Sequence, residues 1–389
     1  MTTTTSDTKP PINWPAAVTL WGTSAAALIL IPLYAWFNDF SIAAWVSFVI
    51  LSGLNGMSIT VGYHRLWAHR SYQAHPVVRF ILLAFGTMAV QNSVFAWASG
   101  HRRHHRHVDD VEHDPYSAKR GFWFSHMGWM VRDHNASRED FSNIPDLLRD
   151  PLLQFQHKHY AALALGINFG LPFVLGYLTG DVWGVVLLGG LARLVWSHHT
   201  TFFINSLAHI WGRRPYTDEN TARDNDILAL FTYGEGYHNY HHLFQFDYRN
   251  GIRWYQFDPS KWLISSLSLV GLTSELKRVP EFQIEKARVT MQFKHAEQKL
   301  NCNAGAYAVA NMTQLKAMLA KEYESFTLSL QEWAKVKEAQ FNAAKSALEN
   351  SDAMKEYRAR LAAIEFNVKA QRKRLERLLS NAGLPLVAA

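Results

Sequence analysis

Apolar and polar positions divide this chain into two unlike parts. Four apolar stretches run from about Trp14 to Phe37, Ile42 to Val61, Tyr160 to Leu178 and Val182 to Phe203. Each approaches the length that roughly 30 Å of hydrocarbon demands of a helix. Asn38-Asp39-Phe40 joins the first pair and Thr179-Gly180-Asp181 the second, so the pattern predicts two tight helical hairpins. Both tips carry an Asp and no Lys or Arg. Arg65, Arg70, Arg102, Arg103, Arg106, Lys119, Arg120, Arg213 and Arg214 follow the other helix ends. Basic residues stay on the cytoplasmic side, which places those segments and both termini inside.

A fifth apolar stretch, Val77 to Ala98, is long enough to be a span by hydropathy. Crossing would put His64 and His69 on one side of the bilayer and His101 to His105, with the basic stretch after them, on the other. We therefore expect a re-entrant or in-plane segment that returns to the cytoplasmic face, which the membrane tolerates where protein covers the backbone.

From about Pro280 the composition turns to Ala, Glu, Lys, Arg and Gln. Met354, Tyr357, Leu361, Ile364, Val368, Gln371, Leu375 and Leu378 alternate steps of three and four, a heptad seam. Asn301 to Asn303 and Asn350-Ser351 are the expected breaks between helices. The expected organisation is a polar segment 1–13, a membrane domain 14–279 and a cytoplasmic helical tail 280–389. The tail would form a hairpin or short coiled coil that docks on its own chain, or else binds a partner or a second copy. The fold class is all-α integral membrane: four transmembrane helices in two hairpins beneath a cytoplasmic helical cap.

Composition sharpens this picture in three places. Cys302 is the only cysteine, which excludes an intrachain disulfide and a cysteine-ligated zinc or iron–sulfur site. Met1 to Pro11 is polar and Thr-rich and lacks the basic and apolar regions of a secretory signal. The 19 histidines are mostly clustered.

Three histidine boxes stand out: H-R-L-W-A-H with His64 and His69, H-R-R-H-H with His101, His104 and His105, and H-N-Y-H-H with His238, His241 and His242. On a helix, positions i, i+3 and i+4 share one face, so the second and third boxes each aim three imidazoles the same way. The five-residue step of the first box is not same-face on a regular helix. It suits ligands that reach two metals, or a second His just beyond the helix end. Eight imidazoles exceed what one metal holds, so two metals follow. The alternative for the second box, a basic surface patch, leaves the matching third box unexplained.

These boxes, their order and their placement after the second and fourth spans resemble the membrane fatty acyl desaturases, nearest the acyl-CoA delta-9 (stearoyl-CoA) branch, with a bacterial source expected. Gly121 to Trp129 (G-F-W-F-S-H-M-G-W), Asn205 to His209 (N-S-L-A-H), Arg214 to Tyr216 (R-P-Y) and Gly234 to His242 (G-E-G-Y-H-N-Y-H-H) share the resemblance. It covers roughly residues 15 to 275 and leaves out the tail. It implies nine histidine ligands for two irons: His64, His69, His101, His104, His105, His209, His238, His241 and His242, with Asn205 holding a metal through water. His209 belongs to no box, and spacing alone does not single it out.

The resemblance further implies an oxygen-dependent enzyme that places a cis double bond in a saturated long-chain acyl thioester. Such chemistry is beyond side-chain acids and bases, and iron with dioxygen supplies it. The alternatives are a desaturase of phospholipid-linked chains and a membrane alkane or lipid hydroxylase with the same centre. The CoA head group is expected near the second box and after the Gly128-Trp129 pair, where Asn92, Trp97, Trp129 and Arg132 fall at matching places. Ser99, Gly100 and Asp133 depart from the animal pattern there. In the second span Ser52, Gly53, Gly56 and Ser58 could leave room for the methyl end of the chain or serve close helix packing. Arg193 and His198, ionisable within the fourth span, are candidate tunnel residues. The alternative for His198 is a neutral imidazole bonded to a facing helix. No haem, flavin or nucleotide motif is present, so electrons are expected from a separate ferredoxin, flavoprotein reductase or cytochrome, steered by the positive surface. No partner role for nucleic acid is expected.

Overall fold

The computed structural model describes residues 9–302, 309–345 and 352–381. The chain divides into two compact units. One runs to Gly212 and resumes from Asn220 to Arg278; the other joins Arg213–Glu219 to the chain from Val279 onward. Helix dominates, and among the described residues the one sheet is the antiparallel pair β1 (Gln73–Ala74) and β2 (Thr273–Ser274).

Three helices of the first unit are long and apolar enough to cross a membrane: α1 (Trp14–Phe37), α2 (Ile42–Ala68) and, later in the chain, Tyr160–Thr179. Their apolar side chains face outward. Leu28, Trp36, Ile42, Val49, Phe169, Phe173 and Leu178 are all exposed, an arrangement that suits lipid rather than water. Residues 182–205 form a further rod of comparable length, an α-turn, a π-helical stretch Val186–Ala192 and the α-helix Arg193–Asn205. It is less apolar because it turns polar groups inward, with Arg193, Ser197 and His198 all buried. The Asp181 carboxylate caps this rod at Gly184 N (2.8 Å). It also accepts from Ser41 N and from Tyr34 Oη (both 3.3 Å), tying the two hairpin tips together.

Segment 77–98 is broken rather than continuous. Helix α3 (Pro76–Thr87) ends and α4 (Val94–His107) begins, with Ser93 capping Ala96 N. Val90 and Asn92 take positive φ (52° and 75°) in the turn between them. Positive φ is costly for a branched residue such as Val90, and the turn is held from the side. Arg193 donates to Met88 O (2.8 Å) and Asn55 Oδ1 (3.2 Å), and His198 Nε2 lies 2.9 Å from Ala89 O. The segment therefore leaves and returns to the end of α2, where the histidines gather. Tyr160–Thr179 and residues 182–205 are α5 and α6, the third box lies on the short helix α7 (His238–Leu243), and α8 is Pro259–Leu269.

In the second unit α9 (Glu281–Cys302), α10 (Val309–Lys345) and α11 (Asp352–Asn381) pack on one another. Leu361, Ile364, Val368 and Leu375 of the heptad seam are buried against Phe282, Val289, Phe293, Leu319, Phe326 and Val336. Gln371 donates to Ser325 and Ser329 of α10, and Arg372 grips Glu285 of α9 with two bonds of 2.7 and 2.8 Å. Asn303 and Asn350-Ser351 lie outside the described residues.

Candidate metal centre

The second span expected from hydropathy stops at Val61, yet α2 continues to Ala68 with every residue from Ser58 buried. This last stretch is π-helical. A π-turn bonds residue i to i+5, and His69 N donates to His64 O (3.0 Å) across that interval. The wider turn brings both imidazoles of the first box to one place, with ring centres 4.6 Å apart. They join one cage, with His69 as the helix cap, so the five-residue step does not divide them between two metals.

The other two boxes do divide. His64, His69, His101, His105 and His241 form one group, and His104, His209, His238 and His242 the other; the potential ligand atoms of each group lie within 4.8 Å of one another. In each H-x-x-H-H box the i and i+4 histidines enter one cage and the i+3 histidine enters the other. The shared helix face is real, but the rings on it fan out to two centres.

Ring nitrogens meet through Nε2 throughout. In the five-histidine cage His69–His101 is 2.8 Å, and His64–His241 and His241–His105 are each 3.0 Å. In the four-histidine cage His242–His238 is 3.0 Å, His238–His209 3.1 Å and His104–His242 3.3 Å. Imidazole nitrogens about 2.1 Å from a shared ion and at right angles stand about 3.0 Å apart, so the donor set fits a metal in each cage. Burial, followed by the neighbouring ring charges, pushes His69, His101, His105, His238, His241 and His242 well below the usual imidazole range. Burial, then His104 and Arg223, does the same for His209. Neutral rings keep the lone pairs that a metal needs.

Polar groups outside the cages fix these rings. His64 Nδ1 lies 2.9 Å from Glu235 Oε2, a close polar contact. Glu235 also takes two bonds from Arg65 (2.9 and 3.1 Å), which reaches Asp258 at 3.0 Å. Burial opposes ionisation of Glu235, but His64 and Arg65 outweigh it and hold the carboxyl below its usual range. Glu235 falls in the G-E-G run before the third box, and its charge in a histidine-rich neighbourhood was the signal available in sequence.

The remaining candidate residues are spread around this centre. Trp97 stacks on His101 (4.9 Å) and donates to Gln91 Oε1 (3.2 Å); Gln91 in turn donates to Thr201 (3.1 Å). The Asn92 backbone N–H donates to Tyr160 Oη (2.9 Å). Trp129 packs on Tyr116, and Arg132 donates to Pro10 O. Asn205 ends α6, and His209 occupies the next turn, Leu207–Ile210. Arg193 and His198 bond the 88–89 turn and do not line a small apolar crevice between α2 and α6. That crevice is lined by Ser52, Gly56, Trp196, Thr200, Thr201 and Tyr233, among others. Gly56 gives way to the Tyr233 ring: a Cβ there would stand 2.0 Å from Tyr233 Cε2. Gln91, Thr201 and Tyr233 carry no motif, and no sequence pattern marks them.

Residues 40–267 match the family model described as fatty acid desaturase. The chain is 44% identical over 252 residues to acyl-CoA desaturase 1 of Saccharomyces cerevisiae, covering 64% of this chain and 49% of that protein. It is 39% identical to stearoyl-CoA desaturase 5 of Bos taurus (63% of this chain, 74% of that protein). It is 35% identical to sn-1 stearoyl-lipid 9-desaturase of Anabaena variabilis (71% and 98%). The chain spans about half the length of the two yeast relatives it matches, 58% and 49%. The expected bacterial source is not borne out by these mostly eukaryotic relatives.

Proposed function

The chain belongs to the fatty acid desaturase family, and we propose that it is a membrane desaturase that puts a cis double bond, at the delta-9 position, into a long-chain fatty acyl-CoA. The observation that carries this reading is the pair of buried imidazole cages, five histidines in one and four in the other. Two irons are the metals we assign, with Asn205 meeting the second through water. Bound there, they would supply the oxidising power, drawn from dioxygen and external electrons, that an unactivated methylene pair requires.

The protein's own residues do the rest. We assign the alkyl chain to the side of α2 and α6 where a small crevice of about 20 Å³ opens, which must widen to admit it, with the Gly56–Tyr233 contact in its wall. Two hydrogen bonds, Gln91 to Thr201 and Trp97 to Gln91, and the Trp97–His101 stack connect the crevice wall to the five-histidine cage. A cleft of about 1040 Å³, whose lining carries Arg102, Arg103, Arg106, Arg120 and Arg138 against Glu112, Asp133 and Asp140, offers an anionic head group its place, close in sequence to Arg132. The head group stays at the surface and the chain runs inward.

Four helices in two hairpins, α1–α2 and α5–α6, would cross the membrane, with the cages, the cleft and both termini on the cytoplasmic side, where a ferredoxin, flavoprotein reductase or cytochrome delivers electrons. The tail is a helical appendage whose heptad seam is filled by its own chain. One observation favours a lipid-linked substrate instead: a relative that covers nearly its whole length against this chain is named for stearoyl-lipid. Turnover of labelled palmitoyl- and stearoyl-CoA, set beside phospholipid carrying the same chains, decides between them. A monounsaturated CoA product supports our reading. A hydroxylated product, or desaturation of the phospholipid alone, overturns it.

A further inference from the structure

Two ligands of the four-histidine cage are held from outside by carboxylates of one short loop that follows the second box, V-D-D-V-E-H-D-P-Y (Val108 to Tyr116). Asp114, fully buried, takes His104 Nδ1 at 2.8 Å. Asp109, 7% exposed, does not touch a histidine. Its carboxylate accepts from Thr221 N (2.7 Å) and Thr221 Oγ1 (2.6 Å), and Thr221 Oγ1 lies 2.9 Å from His209 Nδ1.

The directions of these bonds are set by chemistry. His209 Nε2 faces the cage, 3.1 Å from His238 Nε2. A lone pair on Nε2 requires the ring proton on Nδ1. Nδ1 therefore donates to Thr221 Oγ1, and the hydroxyl passes its own proton toward Asp109, which can only accept. Asp109 itself sits at φ 68°, and its backbone N–H is held by Asp114 Oδ2 (3.1 Å). One carboxylate thus orients one ligand directly, and its neighbour orients another through a hydroxyl.

We propose that Asp109 and Thr221 are positioning residues for the second metal: a hydroxyl-bridged carboxylate relay that fixes the tautomer and aim of His209. Thr221 is the sensitive link, because the relay passes through one oxygen. His209 lies outside every box and in a turn of four residues, so its backbone gives it less support than the box helices give theirs. Partners of this kind, when removed, weaken metal affinity about 10–100-fold.

The inference rests on the two-metal reading, and the test separates them. Iron per chain and the affinity of each iron would be measured on the full-length wild type, Thr221→Val, Thr221→Ser and Asp109→Asn. Melting of the chelator-treated proteins would be measured alongside. Two irons in the wild type, weakening of one iron by 10–100-fold in Thr221→Val, recovery in Thr221→Ser, a similar loss in Asp109→Asn and unchanged melting without metal support the relay. A wild type with two irons beside a Thr221→Val variant that binds both equally well overturns the relay alone. So does a melting loss in the metal-free variant that accounts for the iron loss. A wild type that binds no iron overturns the reading beneath it.

Discussion

The two cages use the same parts in different proportions. The five-histidine cage takes ligands from all three boxes; the four-histidine cage takes them from two boxes and from His209. Each cage has one half-buried ligand, His105 in the first and His242 in the second. Those two rings stack at 4.4 Å and 19°. The cages thus share an open side while differing in ligand number. The smaller cage leaves more of a metal's coordination free for water or another small ligand. A histidine box is therefore not a site: it is a helix face that feeds two sites at once.

Removing one ligand from each cage in turn separates the two cages most strongly. His209→Ala should leave the five-histidine cage intact and His64→Ala the four-histidine cage. On the proposed two-metal reading, each should bind close to one iron instead of two and lose desaturation by at least about 100-fold. If either variant loses both irons, the cages are not separable. A smaller effect tests the support of the five-histidine cage. Arg65→Met would leave Glu235 and Asp258 buried without their shared cation, and breaking a buried pair costs roughly 3–5 kcal/mol. Thermal unfolding in detergent should show a marked fall, and an unchanged melting point would count against this network.

The smallest effect concerns α4, which feeds both cages. Arg102 holds Asp146 with two bonds (2.7 and 2.9 Å). Burial opposes ionisation of Asp146, but Arg102 outweighs it and lowers the carboxyl below its usual range. A depressed carboxylate contributes stability above its unfolded pKa, about 3.9, and loses it as pH falls through the folded value. Asp146→Asn should therefore cost about 1 kcal/mol at neutral pH, with the difference from wild type vanishing in acid. A gap that persists in acid would mean that packing rather than charge is responsible.

Much of this arrangement is legible in the sequence because it is periodic. Three apolar helices, the heptad seam of the tail and the i, i+3, i+4 boxes follow from spacing alone. Segment 77–98, expected to turn back because histidines on both its flanks must meet, is two helices joined by a turn rather than one continuous rod. What spacing does not show is of two kinds. The π-turn that unites His64 with His69 is a local departure from the helical period, so the pattern cannot be read at 3.6 residues per turn. The polar supports, Glu235, Gln91, Thr201 and Thr221, act through contacts between segments distant in sequence. Arg193 and His198 show a contact that spacing does not: ionisable residues in an apolar helix suggest a tunnel, and both also bond the 88–89 turn.

Two ions held by imidazole nitrogen are the heart of the proposed centre, and metal analysis joined to X-ray absorption on the purified protein tests them directly. Two irons per chain, surrounded mainly by nitrogen at imidazole distance, are expected, with loss of oxygen-dependent turnover when a chelator strips them. One iron or none, or full turnover after stripping, would contradict the two-iron centre.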